Sequence, residues 1–158
     1  MSWVHVTGAV LVLLTTLGGA FVQAFRTKWA PFQGVVRRFN RDVTNPRQME
    51  RAGQQGAWAA VVHHRGRVSG TAYRTPAVAV PTDDGFLFAL PYGAGADWVR
   101  NVLAHGSATI QHEGRTVAVQ RPRLVLAAEA DHYFEPREQR MHRLFGVVDF
   151  LRVTEVGR

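Results

Sequence analysis

From Gly56 onward the chain is cut by turn residues into short runs of β-forming side chains, and this punctuation constrains the fold more than any other feature. Trp58 to His63, Tyr73 to Val80 and Phe86 to Leu90 are three such runs, separated by Arg65-Gly66-Arg67-Val68-Ser69-Gly70 and by Thr82-Asp83-Asp84-Gly85. Short runs bounded by Gly and Asp favour antiparallel hairpins over crossover connections. A Gly-rich loop, Pro91 to Ala96, then leads into a short helix over Trp98 to Ala104, with Asp97 placed as its N-cap and Gly106 as its stop. Thr109 to His112 and Thr116 to Val119 read as a hairpin turning at Glu113-Gly114, and Arg123 to Leu126 as a further strand. A helix around Glu138 to Leu144, stopped at Gly146, precedes a last strand over Phe150 to Val156. Five or six mostly antiparallel strands with a few helices, in about 130 residues, predict a mainly β domain of the α+β class, built as a small closed or half-closed barrel.

The N-terminal part follows a different grammar. Residues 1–25 carry no charged side chain, whereas Arg26 to Ala52 hold seven basic residues against Asp42 and Glu50. Trp3 to Phe25 would extend roughly 34 Å as a helix, against a hydrocarbon core of about 30 Å. Met1-Ser2-Trp3-Val4 lacks the basic start of a signal peptide, so a retained transmembrane helix is expected. Arg26 and Lys28 follow it at once, which leaves the remainder on the cytoplasmic side of the cell membrane, with the basic stretch against lipid headgroups. The alternative is a helix packed on the domain itself or on a second copy. Phe32, Val35, Val36, Phe39 and Val43 keep helical spacing from Pro31 to Thr44, and a short helical turn over Arg47 to Ala52 ends at Gly53. The chain thus divides into a membrane-anchor helix over residues 1–28, an amphipathic helical lead-in over 29–55 and a barrel domain over 56–158.

Composition removes several classes of function. With no cysteine among 158 residues, Cys-ligated zinc, iron–sulfur clusters and disulfide scaffolds are excluded, and 46% hydrophobic residues are too many for a disordered chain. The formal net charge of +7 is carried almost wholly by Arg, with no nucleic-acid motif beside it, so no nucleic-acid partner is expected. His63 and His64 are adjacent, and on a strand they face opposite ways, so no metal site is expected there. No P-loop, GxGxxG or Ser-His-Asp frame is present.

Two segments can hold a ligand. The turn from Arg65 to Gly70 combines two arginines, the Ser69 hydroxyl and two glycines, which suits an anion; a basic hairpin tip is also an ordinary solvated loop. The segment Tyr92-Gly93-Ala94-Gly95-Ala96-Asp97-Trp98-Val99-Arg100-Asn101 brings backbone N–H groups and the positive end of a helix dipole beside the flat face of Trp98. That helix equally well fills the core with Trp98, Val102 and Leu103.

Taken together, Phe39-Asn40, Asn45-Pro46, Gly66-Arg67-Val68-Ser69-Gly70, Tyr73-Arg74-Thr75-Pro76, the stretch from Ala89 through Tyr92-Gly93 to Asp97-Trp98-Val99-Arg100-Asn101-Val102, Gly114-Arg115 and Pro122-Arg123 occur in an order that resembles the deazaflavin-dependent nitroreductase family. The likeness runs from Phe32 to Leu151. It implies a split β-barrel of the flavin-reductase kind and the cofactor coenzyme F420, an 8-hydroxy-5-deazaflavin with a phosphodiester and an oligoglutamate tail. It also implies that Arg65, Arg67, Ser69, Gly70 and Arg74 hold the phosphate and tail, that Ala89, Tyr92 and Gly93 lie along the ring, and that Trp98 and Asn101 shape the pocket. Val68 stands where relatives often carry Lys, and Ala94 where many carry Pro; Arg65 and Arg74 are the cations available to compensate.

The expected activity is that of an oxidoreductase passing a hydride from reduced F420 to an electron-poor, lipophilic acceptor such as a quinone or nitro compound. Tyr92 and Tyr133 are the hydroxyls available as proton donors, and no catalytic residue is assigned. The alternatives are a membrane-associated carrier of a flavin, haem or fatty acid, and an FMN-dependent reductase on the same fold. Split barrels usually dimerise, so a homodimer is expected.

Overall fold

The computed structural model describes residues 3–27, Gly34 and residues 45–157. The amphipathic lead-in expected over Pro31 to Thr44 lies, Gly34 apart, outside the described residues. The elements are α1 (Trp3–Arg26), α2 (Asn45–Met49), β1 (Ala60–Arg65), β2 (Ala72–Ala77), β3 (Val80–Pro81), β4 (Gly85–Ala89), α3 (Asp97–His105), β5 (Ser107–His112), β6 (Arg115–Leu126), α4 (Ala127–Ala130), a 3-10 turn (Asp131–Tyr133), α5 (Pro136–Phe145) and β7 (Asp149–Glu155).

Seven strands form one sheet in the order β2-β1-β5-β6-β7-β4-β3, every pair antiparallel. The mainly β, α+β class is as expected. The expected second strand divides: after Ala77 the chain leaves β2 and starts a separate pairing of Val80 and Pro81 with β4. The strand expected at Arg123 is the continuation of β6, which passes through an irregularity between Gln120 and Arg123, where Arg121 takes φ 52°. An extra residue in one strand of a pair bends it without ending it, which the sequence pattern reads as a break.

Both faces of the central strands are covered. On one face Val62, Phe88, Ile110, Val119, Leu151 and Val153 pack around Val99 and Val102 of α3. On the other, Leu87, Val125 and Phe150 pack with Ala130, Phe134 and Val147 from the segment that follows β6. Alternation along β4 therefore sends Phe88 to one cluster and Leu87 to the other, and both are almost wholly buried. A side chain of this kind stabilises by about 1.5–3 kcal/mol on leaving water. Gly85 opens β4 because a Cβ there would meet the Val153 carbonyl oxygen at 2.1 Å.

The uncharged N-terminal stretch does form a helix, α1. Among the described residues no helix is long and apolar enough to cross a membrane, so the transmembrane helix expected from the sequence is not carried forward. Thr15, Thr16, Gly18, Gly19 and Gln23 interrupt its apolar character, and its C-terminal end is engaged by the domain. Phe21 meets Phe145 edge to face at 6.5 Å, and Arg26 Nη1 donates to the carbonyls of Arg143 and Leu144 at 3.0 and 3.3 Å. Those carbonyls belong to the last turn of α5, where helix carbonyls run out of i+4 partners; that of Arg143 also accepts from the Gly146 N–H at 3.4 Å.

Candidate functional site

The turn from β1 to β2 is tightly wound. Gly66 N–H donates to the Thr71 carbonyl and Gly70 N–H to that of Gly66, both at 2.8 Å. A Cβ at Gly66 would lie 2.6 Å from Ser69 Oγ and displace that hydroxyl, and Gly70 takes φ +66°. Val68 is 93% exposed at the tip.

The helix α3 faces this turn. Its N-cap is Ala96, with no side chain capping it, and Asp97 sits inside the first turn; the expected N-cap role of Asp97 is corrected accordingly. The carboxylate is turned instead to Arg67 Nη1 at 3.2 Å. The stop at Gly106 is as expected, with φ 71° and its N–H on the Val102 carbonyl.

Asn101 connects helix and turn. Its Oδ1 accepts from the Arg67 backbone N–H at 3.1 Å and from Arg67 Nη1 at 2.9 Å. Its Nδ2 lies 3.2 Å from His64 Nδ1, while His64 Nε2 lies 3.0 Å from Thr75 Oγ1. His64 and Asn101 are the two buried polar side chains of the described core, at 7% and 5% exposure. Burial first, then the nearby His105 and His63, holds the His64 imidazole below its ordinary pKa of 6.5. Its ring also stacks on Tyr73 at 5.7 Å.

A groove of about 1140 Å³ runs between these parts. Arg67, Ser69 and Arg74 stand along it with His64 and Tyr73; Pro91, Tyr92, Ala96 and Trp98 form another part of its wall, and Trp58, Pro76, Ala77 and Val78 a third. Trp98 is backed by Phe88, ring to ring at 5.6 Å, which ties that wall to the core. Of the residues expected at the site, Arg67, Ser69, Arg74, Tyr92, Trp98 and Asn101 are brought together here. Arg65, Gly70, Ala89 and Gly93 are not among the lining residues: Arg65 Nη1 donates to the Gly70 carbonyl at 3.4 Å, Ala89 packs toward the cluster around Phe150, and Gly93 closes a turn on the Leu90 carbonyl at 2.8 Å.

Tyr133 belongs to the other side of the sheet, under the Arg152 guanidinium at 5.5 Å; Tyr73 and Tyr92 are the tyrosines of the groove. His64, Tyr73 and Thr75 were not foreseen there. The alternation of β1 and β2 carries the signal for them: Tyr73 pairs with His64 and Thr75 with Val62 across the hairpin, so the groove side of one strand predicts that of the other. Among the described residues no His, Asp and Glu cluster suited to a metal is present.

No protein-family model matches the chain, and no curated protein matches it. Among solved structures it is similar to an F420-H2 dependent reductase, at 15% identity over 62% of this chain and 94% of the other, with TM-score 0.48. A structure described as a domain-swapped dimer is 13% identical over 80% of this chain and all of the other, with TM-score 0.46. A protein of unknown function from Agrobacterium tumefaciens is 14% identical over 75% of this chain and 57% of its own, with TM-score 0.45.

Proposed function

We propose that the protein is an oxidoreductase that binds a deazaflavin of the F420 type and passes a hydride to an electron-poor, lipophilic acceptor. The observation that carries this reading is that one groove unites a cationic turn with an aromatic wall beside a helix N-terminus. Arg67, Ser69 and Arg74 fit a phosphodiester or carboxylate tail through charge-assisted hydrogen bonds. The faces of Trp98 and Tyr92 fit a flat ring, and the backbone N–H groups at the start of α3 fit a ring carbonyl. The bound deazaflavin supplies hydride chemistry, which needs no protein nucleophile. The chain's own part is to orient the ring against Trp98, neutralise the tail at the turn and exclude water. Tyr73 and Tyr92 are the groove hydroxyls able to pass a proton to a reduced acceptor.

The location belongs to the same proposal. We place the domain on the cytoplasmic face of a membrane, with α1 lying on the lipid surface through the exposed Leu14 and Leu17. A homodimer completes the reading.

Parallel titrations with F420 and FMN test the cofactor, and turnover of reduced F420 with quinone, nitroaromatic and enone acceptors tests the reaction. Multiple turnovers that fall in Trp98→Ala support the reductase. Tight stoichiometric F420 binding with silence across all acceptors would replace it by a carrier, and preference for FMN would replace the deazaflavin.

A further inference from the structure

The turn that carries Arg67 is not held by its own hydrogen bonds alone; it hangs on the side chain of Asn101, which in turn answers to a buried histidine. We propose that His64 is the positioning residue of this anion-binding turn, acting through the amide of Asn101 to decide whether Arg67 is held over the groove. The proposal rests on the groove being the cofactor site.

An Asn amide has one acceptor atom and one donor group. Here the acceptor, Oδ1, is committed twice to Arg67, once to its backbone N–H and once to its guanidinium. The donor, Nδ2, is left to His64 Nδ1 at 3.2 Å. That contact is a hydrogen bond only if Nδ1 carries no proton, so His64 is the neutral Nε2–H tautomer, and its Nε2–H donates to Thr75 Oγ1 at 3.0 Å. One proton arrangement therefore runs through β1, β2 and α3 to the turn.

The amide has two orientations, related by half a turn about its last bond. Proton uptake at Nδ1 would bring two donors face to face. Turning the amide restores that bond, with Oδ1 toward the imidazolium, but it points Nδ2 at two Arg67 donors and breaks both of their bonds. Both side chains are nearly out of solvent, so water is a poor replacement at either contact. The system has two discrete states, Arg67 held by Asn101 or released from it and left to Asp97 alone.

The groups around His64 bias it to the first. His63 on its own strand, His105 on α3 and the Tyr73 ring from β2 lie around it, while Arg67, beyond the Asn101 amide, gives the same Nη1 to Asp97 and to Asn101 Oδ1. His105 is also directed at the turn, its Nε2 lying 3.4 Å from the Gly66 carbonyl. Burial, and after it the nearby His105 and His63, oppose a charge on His64. The released state consequently belongs to the acid side of pH 6.5.

Nitrogen-15 spectra of the histidine rings and the Arg67 amide, recorded on the cofactor-free protein from pH 7.5 to 4.5, test the network. The expected result is a neutral His64 with its proton on Nε2 and an Arg67 amide signal that moves with the His64 titration. A proton on Nδ1, or an Arg67 amide indifferent to His64, overturns the proposal. Calorimetric titration with F420 provides the second measurement. The parent should lose about tenfold more affinity on acidification than His64→Gln, whose side chain does not titrate, and Asn101→Ala should be weak throughout. Equal pH profiles for parent and His64→Gln overturn the proposal, whereas coupled spectra in a protein that binds no F420 at any pH uphold the network and overturn the cofactor assignment.

Discussion

Arg67 is the side chain on which the site turns. Its guanidinium is shared between Asp97 and Asn101, and its side chain keeps 29% exposure. Arg67→Ala should weaken F420 binding by about 1.5–3 kcal/mol, the size of a lost hydrogen bond to a charged group, with a smaller loss at high salt. Unchanged affinity by fluorescence titration would reduce the turn to a solvated loop. The cationic part of this site was legible in the sequence, because Gly66, Arg67, Ser69 and Gly70 are neighbours in the chain. His64 was not. Considered only as half of a His pair, it gives no metal signal, and its true partners, Asn101 and Thr75, are 37 and 11 residues away. A hydrogen bond between distant residues leaves no periodicity to read.

At the scale of elements, glycine and turn chemistry was the dependable guide. Gly106 and Gly146 end α3 and α5 in the left-handed conformation expected of such stops, and the Glu113-Gly114 turn joins β5 and β6. Strand limits moved by a residue or two: the expected start at Trp58 gives way to β1 beginning at Ala60, and Trp58 is 73% exposed in the groove. Apolar character alone cannot separate a strand residue from the wall of a groove. The capping box of α5, reciprocal between Glu135 and Glu138, lies where an N-terminal Pro136 already pre-sets the helix. Its other end abuts α1: Gly146 has φ +67°, and a Cβ would come within 3.3 Å of Arg26 Cα. Gly146→Ala should therefore lower stability by about 1–2 kcal/mol and loosen α1, through left-handed strain and the contact with Arg26. Denaturant unfolding, with limited proteolysis at the α1 junction, measures both effects; a midpoint equal to the parent's would remove the junction from the account.

For the molecule as a whole, acid is the expected weakness. His142 stacks edge-on against Phe134 and Phe150 at 4.7 and 5.4 Å, its Nδ1 has no hydrogen-bond partner among the described residues, and burial holds its pKa below 6.5. His64 is shifted the same way. Such a group binds its proton more readily in the unfolded chain, so its stabilisation is complete above pH 6.5 and is lost as the pH falls toward the folded value. Glu129 and Asp84, held below their ordinary 4.5 and 3.8 chiefly by hydrogen bonds from Arg123 and Arg152, add losses at lower pH as they take up protons. Melting temperature should fall from pH 7 to 5, with a shallower slope in His142→Phe; parallel slopes would clear His142 of the effect. Removal of residues 1–25 should leave F420 affinity unchanged, because no described residue of α1 lines the groove. Fractionation and titration of both chains check this together, and lost affinity would tie α1 to the site.

The position of β7 has a consequence for how the chain comes to its final form. β7 lies between β6 and β4, so the sub-sheet β2-β1-β5-β6 and the pair β4-β3 share no hydrogen bond except through it. The turn that presents Arg67 joins strands of the first group, and the loop that presents Tyr92 follows a strand of the second. β4 has β3 on one edge, and its other edge is paired only by Asp149 to Glu155, which join the two groups. The two walls of the groove are thus joined in the sheet through β7. A cofactor that needs both walls is held by finished molecules alone, and its binding withdraws them from the pool that can reopen.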